Sequence, residues 1–225
     1  MRPLAIDLFC GLGGWTEGLL AEGYDVVGFD IERHVYGEHR YPAQLVVQDV
    51  LTLHGSQFKG ASLIVASPPC QEYSYMAMPW KLAKAKAADY RSGKRDVKHL
   101  TALFDACFRL RREACDAAGR HVPLVVENVK GAQPWVGRAR WNFGSFYLWG
   151  DVPALMPPTF KAQKNPGFRF DGSGRSFQSE SVNRHTKTSL HSKARKFASA
   201  MIAKIPLPLS RHIAATYRPQ QAKAA

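Results

Sequence analysis

The chain has 225 residues, 45% of them hydrophobic and 22% charged, which fits one globular domain with a real core and excludes a disordered or collagen-like chain. No run approaches the roughly 20 apolar residues of a membrane-spanning helix, and the N-terminal MRPLAIDLFCG has no signal-peptide layout, so a soluble, cytoplasmic protein without a membrane partner is expected. Thirty-one Lys and Arg against eighteen Asp and Glu give a net charge of +13, large enough to point to a polyanionic partner.

Taken in chain order, the first 130 residues alternate short apolar runs with helical patterns. Leu4 to Phe9, Asp25 to Phe29, Leu45 to Val47, Ser62 to Ala66 and Val122 to Val126 are continuous aliphatic runs of the kind that form strands buried on both faces. The clearest helix runs from Asp96 to Ala118, with Leu100, Phe104, Cys107, Arg111, Cys115 and Ala118 near a 3.6-residue period and Gly119 placed to end it. Cys107 and Cys115 fall on or beside its apolar face and read as packing residues. The plan is α/β with a mostly parallel central sheet.

From residue 131 the character changes. Gly131 to Pro158 is rich in Trp, Phe, Gly and Pro, and Lys161 to Lys196 holds nine Lys or Arg against Asp171 and Glu180, so more than half of the net charge lies in 36 residues. Within it Arg alternates with Phe168, Phe170 and Phe177, a pattern suited to nucleic acid and equally to a solvated loop. Two helical patterns, Ser189 to Lys204 and Leu209 to Tyr217, close the chain. The division expected is a core over 1–140, a small basic insertion over 141–195, and C-terminal helices over 196–225 that return to the core.

Three motifs carry chemistry. Asp7-Leu8-Phe9-Cys10-Gly11-Leu12-Gly13-Gly14-Trp15 is a strand running into a glycine turn and a helix, the setting in which a nucleotide-like cofactor meets backbone and helix N-terminus. Asp30 follows Gly11 by nineteen residues, the usual distance of a ribose-binding carboxylate in doubly wound folds. A nicotinamide dinucleotide is one candidate occupant, but the spacing is not GxGxxG and no pyrophosphate motif compensates. Ser67-Pro68-Pro69-Cys70-Gln71 follows an apolar strand directly, and two prolines hold Cys70 at the sheet edge where such folds bind ligands, so it reads as a nucleophile. Cys10 reads as a packing or pocket-lining residue. Val125-Val126-Glu127-Asn128-Val129 ends another central strand with a carboxylate that can act on one substrate together with Cys70, or can form an ion pair or helix cap. Asn128 shapes the turn. Arg138 and Arg140 fall on one side of an extended segment and suit an anion or a base edge, as they suit a solvated strand face. The cysteines show no CxxC pair or His/Cys ligand spacing, so no metal site is expected.

Together these residues resemble the DNA (cytosine-5)-methyltransferase family: the glycine motif, Asp30, the acidic turn at Asp49, Pro69-Cys70-Gln71, Glu127-Asn128-Val129 and the paired arginines stand in the family's order over about residues 1 to 150. The resemblance implies a Rossmann-like methyltransferase fold, S-adenosyl-methionine as cofactor and double-stranded DNA as substrate, with the target base flipped out of the duplex. It implies that Cys70 adds to cytosine C6, Glu127 interacts with N3, Arg140 contacts O2 and Arg138 positions Cys70, with Pro69, Gln71 and Asn128 on the substrate side. Phe9, Gly11, Gly13 and Gly14 would meet the methionine end of the cofactor, Asp30 and Ile31 the adenosine, and Asp49 with Val50 the adenine edge. Ile31 stands where the family often has a stacking tryptophan. Val136 stands where the family has a glutamine before the arginines, and Ala203 to Pro208 replaces its C-terminal Gly-Asn turn. The chain is short, like phage and prophage members, leaving about 50 to 60 residues for target recognition; a short or relaxed specificity, a monomer and a bacterial or phage-infected cell follow as expectations. RNA methylation and a non-catalytic DNA-binding relative are the alternatives.

Overall fold

The computed structural model describes residues 2–73, 80–157 and 193–219. Its centre is a seven-stranded sheet. Strands β1 (Leu4–Leu8), β2 (Asp25–Asp30), β5 (Gln44–Val47), β6 (Ala61–Ala66) and β7 (Leu124–Asn128) are parallel, and the hairpin of β8 (Trp141–Phe143) and β9 (Phe146–Gly150) joins β7 antiparallel, in the order β5-β2-β1-β6-β7-β9-β8. A two-stranded ribbon of β3 (Val35–Tyr36) and β4 (His39–Arg40) stands apart from it. The α/β architecture with a mostly parallel sheet is the one expected.

The continuous apolar runs have a plain cause, since both faces of the sheet are covered. Alternate residues of each strand enter opposite cores. On one face Ile6, Leu8, Ile64, Ala66, Leu124 and Val126 pack under helix α3 (Val97–Ala118). On the other, Ala5, Val26, Leu63, Val65, Val125 and Leu148 pack with Trp15 and Leu19 of α1 (Gly14–Ala21) and with Leu209 and Ile213 of the C-terminal helix. Helix α3 buries Leu100, Phe104, Cys107, Leu110 and Ala114 on one stripe and stops at Gly119, whose φ of 62° suits glycine. Both helix cysteines pack as expected: Cys107 is buried with its thiol toward the Leu103 carbonyl, and the Cys115 sulfur accepts the Val122 amide at 3.2 Å. Asp96 caps α3 by accepting the Lys98 amide at 2.8 Å. Asp96→Ala should therefore lower stability by about 1 kcal/mol, read as a fall of a few degrees in the thermal midpoint with the circular-dichroism spectrum at 25 °C unchanged.

Three further helices lie between and beyond the strands: α2 (Trp80–Arg91), the single turn α4 (Gln133–Val136) and α5 (Lys193–Ala203); the last helix, α6 (Leu207–Tyr217), returns to α1. Two glycines of α1 make that return close. A Cβ at Gly14 would strike the Ile205 backbone, and one at Gly18 would strike Ser210. Lys204 and Arg211 pair with Glu17 and Glu22 of α1 at 2.5 and 2.7 Å, and the Tyr24 hydroxyl donates to the Ala214 carbonyl at 3.0 Å.

Sequence and structure part in two places, the hairpin and α2. The sheet runs on through residues 141–150, which the sequence reading assigns to the basic insertion. The β8–β9 hairpin escapes a reading by apolar runs because it is short, turns at Gly144 and mixes aromatic with polar residues. Helix α2 is Lys- and Ala-rich with a weak apolar stripe. The greater part of the expected basic insertion, 158–192 with Phe168, Phe170 and Phe177, lies outside the described residues.

Candidate active site

The strand order reverses between β1 and β6, so their C-terminal ends open onto the crevice where doubly wound sheets bind ligands. Backbone hydrogen bonds hold the loops of that edge together: the Cys10 amide donates to the Phe29 carbonyl at 3.1 Å and the Ser67 amide to the Leu8 carbonyl at 3.2 Å. The glycine motif leaves β1 through left-handed backbone at Phe9, Gly11 and Gly13. Phe9 there is the one non-glycine residue with positive φ among those described, a conformation that costs of order 1 kcal/mol. A Cβ at Gly11 would meet nothing within 4 Å, so this turn presents bare backbone to open space. Gly13 and Gly14 are glycine for a different reason, the close approach of Pro42 and Ile205.

Asp30, at the end of β2, faces that open turn. Its Oδ2 accepts the Gly11 amide at 2.9 Å and its Oδ1 lies 3.5 Å from His34 Nε2. Burial pushes this carboxyl up, but His34 and the Gly11 and Glu32 amides outweigh it and leave the group below the usual carboxylate range. An ionised, acceptor-only carboxylate beside exposed backbone is suited to a ribose diol. Ile31 next to it is 71% exposed, Asp49 caps a short 3-10 turn by accepting the Leu51 amide at 2.9 Å, and Val50 is buried.

The second half of the site follows from strand parity. Ser67 continues the β6 series Leu63, Val65, and Glu127 continues Val125 of β7, so both point to the α1 face, where Trp15 lies. Trp15 Nε1 donates to Ser67 Oγ at 3.0 Å, and the register that pairs Ala66 with Val126 carries Ser67 alongside Glu127. Asn128 points the other way and braces the turn, donating to the Pro68 carbonyl at 2.9 Å and accepting the Val129 amide at 2.8 Å. Pro69 and Gln71 are exposed and Cys70 is half-buried. The Cys70 carbonyl accepts the Tyr73 amide, and the Tyr73 hydroxyl donates to the Leu100 carbonyl at 2.7 Å, which ties this loop to α3.

Cys70 and Glu127 stand beyond and at the ends of neighbouring parallel strands, where the charge of Glu127 acts on the thiol. Burial pushes the Glu127 carboxyl up to about 8, opposed by Ser67. Burial, and then the negative charge of Glu127, push the Cys70 thiol up to about 11. The two therefore favour carrying one negative charge between them over two. Among the described residues no cation offsets Glu127: the arginines of the sequence reading, Arg138 and Arg140, are exposed on the segment after α4, and the Arg140 charge acts on Tyr217 of α6. That segment is held by the Arg140 amide donating to the Leu148 carbonyl and by Trp149 donating to the Gly137 carbonyl.

Three contributors lie beyond the sequence reading. Ser67 and Trp15 stand 52 residues apart, and the signal available was a hydroxyl just before the Pro-Pro pair. His34 is the third. Behind the glycine turn, buried Asp7 accepts the Thr16 hydroxyl at 2.6 Å, and Thr16 bonds Tyr41 at 2.7 Å. Burial pushes Asp7 up to about 8 and pushes the Cys10 thiol up as well, and Cys10 is buried in the turn. Among the described residues no His/Cys/Asp/Glu cluster could hold a metal ion, and no helix is long and apolar enough to cross a membrane.

The family model described as C-5 cytosine-specific DNA methylase matches residues 4–92, from β1 through the glycine turn and Cys70 to the end of α2. Similar solved structures include a putative DNA modification methyltransferase encoded within an E. coli prophage (24% identity over 58% of this chain and 33% of that chain, TM-score 0.38). They also include the S. pombe Dnmt2 methyltransferase (15% identity, 60% and 37%, TM-score 0.37) and the Entamoeba histolytica methyltransferase EhMeth (18% identity, 60% and 41%, TM-score 0.38). The aligned part spans about a third to two-fifths of the length of these solved chains. No curated protein matches the sequence.

Proposed function

We propose, from a chain whose residues 4–92 carry a C-5 cytosine-specific DNA methylase match, that the protein methylates C5 of cytosine in double-stranded DNA with S-adenosyl-methionine as donor. The observation that carries this reading is the placing of Cys70 and Glu127 at the ends of neighbouring parallel strands, on the edge where the sheet order reverses.

The open backbone at Gly11 and the ionised carboxylate of Asp30 fit the donor: the turn takes its amino-acid end, Asp30 its ribose, with Ile31, Asp49 and Val50 toward the adenine. The donor, when bound, supplies an electrophilic methyl group. Cytosine C5 is too poor a nucleophile to take it unaided. The Cys70 sulfur supplies the missing electrons by bonding to C6, which breaks the C5–C6 π bond and makes C5 enamine-like. Glu127 in its acid form donates to N3, so charge entering the ring is neutralised as it arises. With its midpoint near 8, Glu127 is mostly protonated at neutral pH, the form this step requires. After methylation, loss of the C5 proton to a base and departure of Cys70 restore the ring. Arg140 approaching O2 and Arg138 positioning Cys70 are arrangements to be completed on the substrate.

C6 is inaccessible in stacked DNA, so the nucleotide must be extruded, at a few kcal/mol. The basic stretch of 141–195, with the phosphate contacts it offers, is the source we assign for offsetting that cost and for a short or relaxed recognition sequence. The deciding experiment is expression in a bacterial strain without cytosine methylation, followed by bisulfite sequencing of plasmid DNA and of cellular RNA. Cytosines protected in the DNA are the expected result; protection confined to RNA, or in neither, would overturn the reading.

A further inference from the structure

We propose that His34 is a positioning residue for the methyl donor: as an imidazolium set between Asp30 and Glu32 it holds the Asp30 carboxylate at the open glycine turn, so that donor affinity follows the His34 proton. The inference rests on the reading of Asp30 as the carboxylate that takes the ribose.

The geometry asks for the cation. Both ring nitrogens of His34 face carboxylate oxygens at ion-pair distance, Nε2 at 3.5 Å from Asp30 Oδ1 and Nδ1 at 3.6 Å from Glu32 Oε1. A neutral imidazole has one N–H, so in either tautomer one nitrogen turns a lone pair toward a carboxylate; the imidazolium alone serves both. The ring is also seated. It stacks on Tyr36 of β3 with centroids 6.4 Å apart, and Tyr36 packs against Phe197 of α5 at 5.5 Å. Asp30 needs such a partner, because it is 8% exposed and a carboxylate withdrawn from water stays ionised only where it is paired or hydrogen-bonded. Among the described residues His34 is the cation that pairs with it.

The use of the pair follows from its acceptor sites. Asp30 Oδ1 receives the Glu32 amide at 3.3 Å and faces His34, while Oδ2 receives the Gly11 amide at 2.9 Å. A carboxylate oxygen accepts about two donors, so the place left is on Oδ2, beside the bare backbone of Gly11, where a ribose hydroxyl can donate. Loss of the His34 proton sets a lone pair against Oδ1 or against Glu32 and releases the carboxylate from that orientation. The groups that act on His34 are Asp30 and Glu32, which favour the imidazolium, and Lys196 of α5, which opposes it; Tyr36 beneath the ring is held uncharged. The balance lies above the ordinary histidine value. The cation therefore prevails at pH 6 and is lost as the pH rises through that midpoint, and the hold on Asp30 goes with it.

The test uses the full chain with His34→Ala, Asp30→Asn and the double variant, and S-adenosyl-homocysteine as the probe, titrated calorimetrically from pH 6 to pH 8.5. His34→Ala should weaken binding about fivefold at pH 6 and less than about twofold at pH 8.5, where the wild-type protein has lost the cation too. The amine of the probe and Asp7 titrate in both proteins, so the ratio of their affinities isolates His34. In the Asp30→Asn background His34→Ala should add nothing. A second readout needs no ligand: the His34 midpoint, followed by the NMR shift of its ring protons, should fall in Asp30→Asn. Equal affinity at pH 6, a ratio that does not change with pH, or a midpoint that does not move overturns the inference. Should His34→Ala fail to fold by its melting curve, His34→Gln, uncharged at every pH, makes the same comparison. Absence of binding to the wild-type protein overturns the donor reading and this inference with it; binding with a constant ratio overturns this inference alone.

Discussion

Cys70→Ser removes methyl transfer while leaving the fold and donor binding in place. A serine hydroxyl is far harder to ionise than a thiol and is a weaker nucleophile toward a conjugated carbon, so a loss of at least about a thousandfold in kcat is expected. Calorimetric titration with S-adenosyl-methionine should give the same affinity for both proteins, because the donor-facing groups, Gly11 and Asp30, sit on β1 and β2, and the Ser67 and Asn128 braces that hold the Cys70 loop are untouched. A second readout concerns the bond itself. On DNA carrying 5-fluorocytosine, where the C5 substituent cannot leave as a proton, the wild-type protein should remain attached to DNA on a denaturing gel and the variant should not. Free wild-type protein in that gel would rule out a Cys70 adduct.

The second large effect separates the two roles of Glu127 by pH. In Glu127→Gln the side chain keeps its shape and loses both its proton and its charge. Loss of the proton removes the acid at N3, and kcat near pH 7 should fall by roughly a hundred- to a thousandfold. Loss of the charge acts oppositely on Cys70: the like charge that helps to push the thiol up to about 11 is gone, so its midpoint falls. At pH 9, where Glu127 is ionised in the wild-type protein, the variant thiol should therefore be alkylated several times faster. The pH profiles differ in form as well. Thiolate and carboxylic acid together require that the pair has released one proton, so the wild-type rate climbs to about pH 8 and then levels off. The glutamine variant has no such step, and its low rate keeps climbing beyond pH 8 with the thiolate. A variant profile that levels at the same pH would remove Glu127 from the wild-type step.

What could be read from the residues alone divides along a physical line. The parallel strands were legible because burial on both faces writes itself as unbroken aliphatic sequence, as in Leu63 to Ala66 and Leu124 to Val126. Helix α3 was legible because its stripe, its Asp96 start and its Gly119 stop agree with one another. Cys70, Glu127 and Asp30 could be singled out as candidates because strand ends at a sheet edge are where open α/β folds place ligands. Pairings across long separations were not. Nothing in the local sequence of Ser67 announces Trp15, and nothing near Gly14 announces Ile205; both follow from the way α1 lies over the sheet. The sequence reads Cys70 as a nucleophile from its position, and says nothing of the burial and the Glu127 charge that push its thiol up to about 11. The β8–β9 hairpin was hidden because a strand paired antiparallel at the border of the sheet has no need for a continuous apolar run.

The backbone bonds that tie Cys10 to Phe29 and Ser67 to Leu8 have a consequence for who must move during the reaction. The ends of β1, β2 and β6 are spliced to one another below the side chains they carry, and β7 is in register beside them. Such an edge behaves as an anvil: Glu127 lies within β7 and cannot swing outward without tearing the sheet, and the loop of Cys70 starts from Ser67, which is bonded to β1. In the proposed reaction, the deformation needed to bring sulfur and C6 together then falls on the nucleic acid. On that reading, a cytosine at a mispair, a bulge or a junction reaches this edge with less work, and methylation of plasmid DNA should be denser at such sites than in intact duplex.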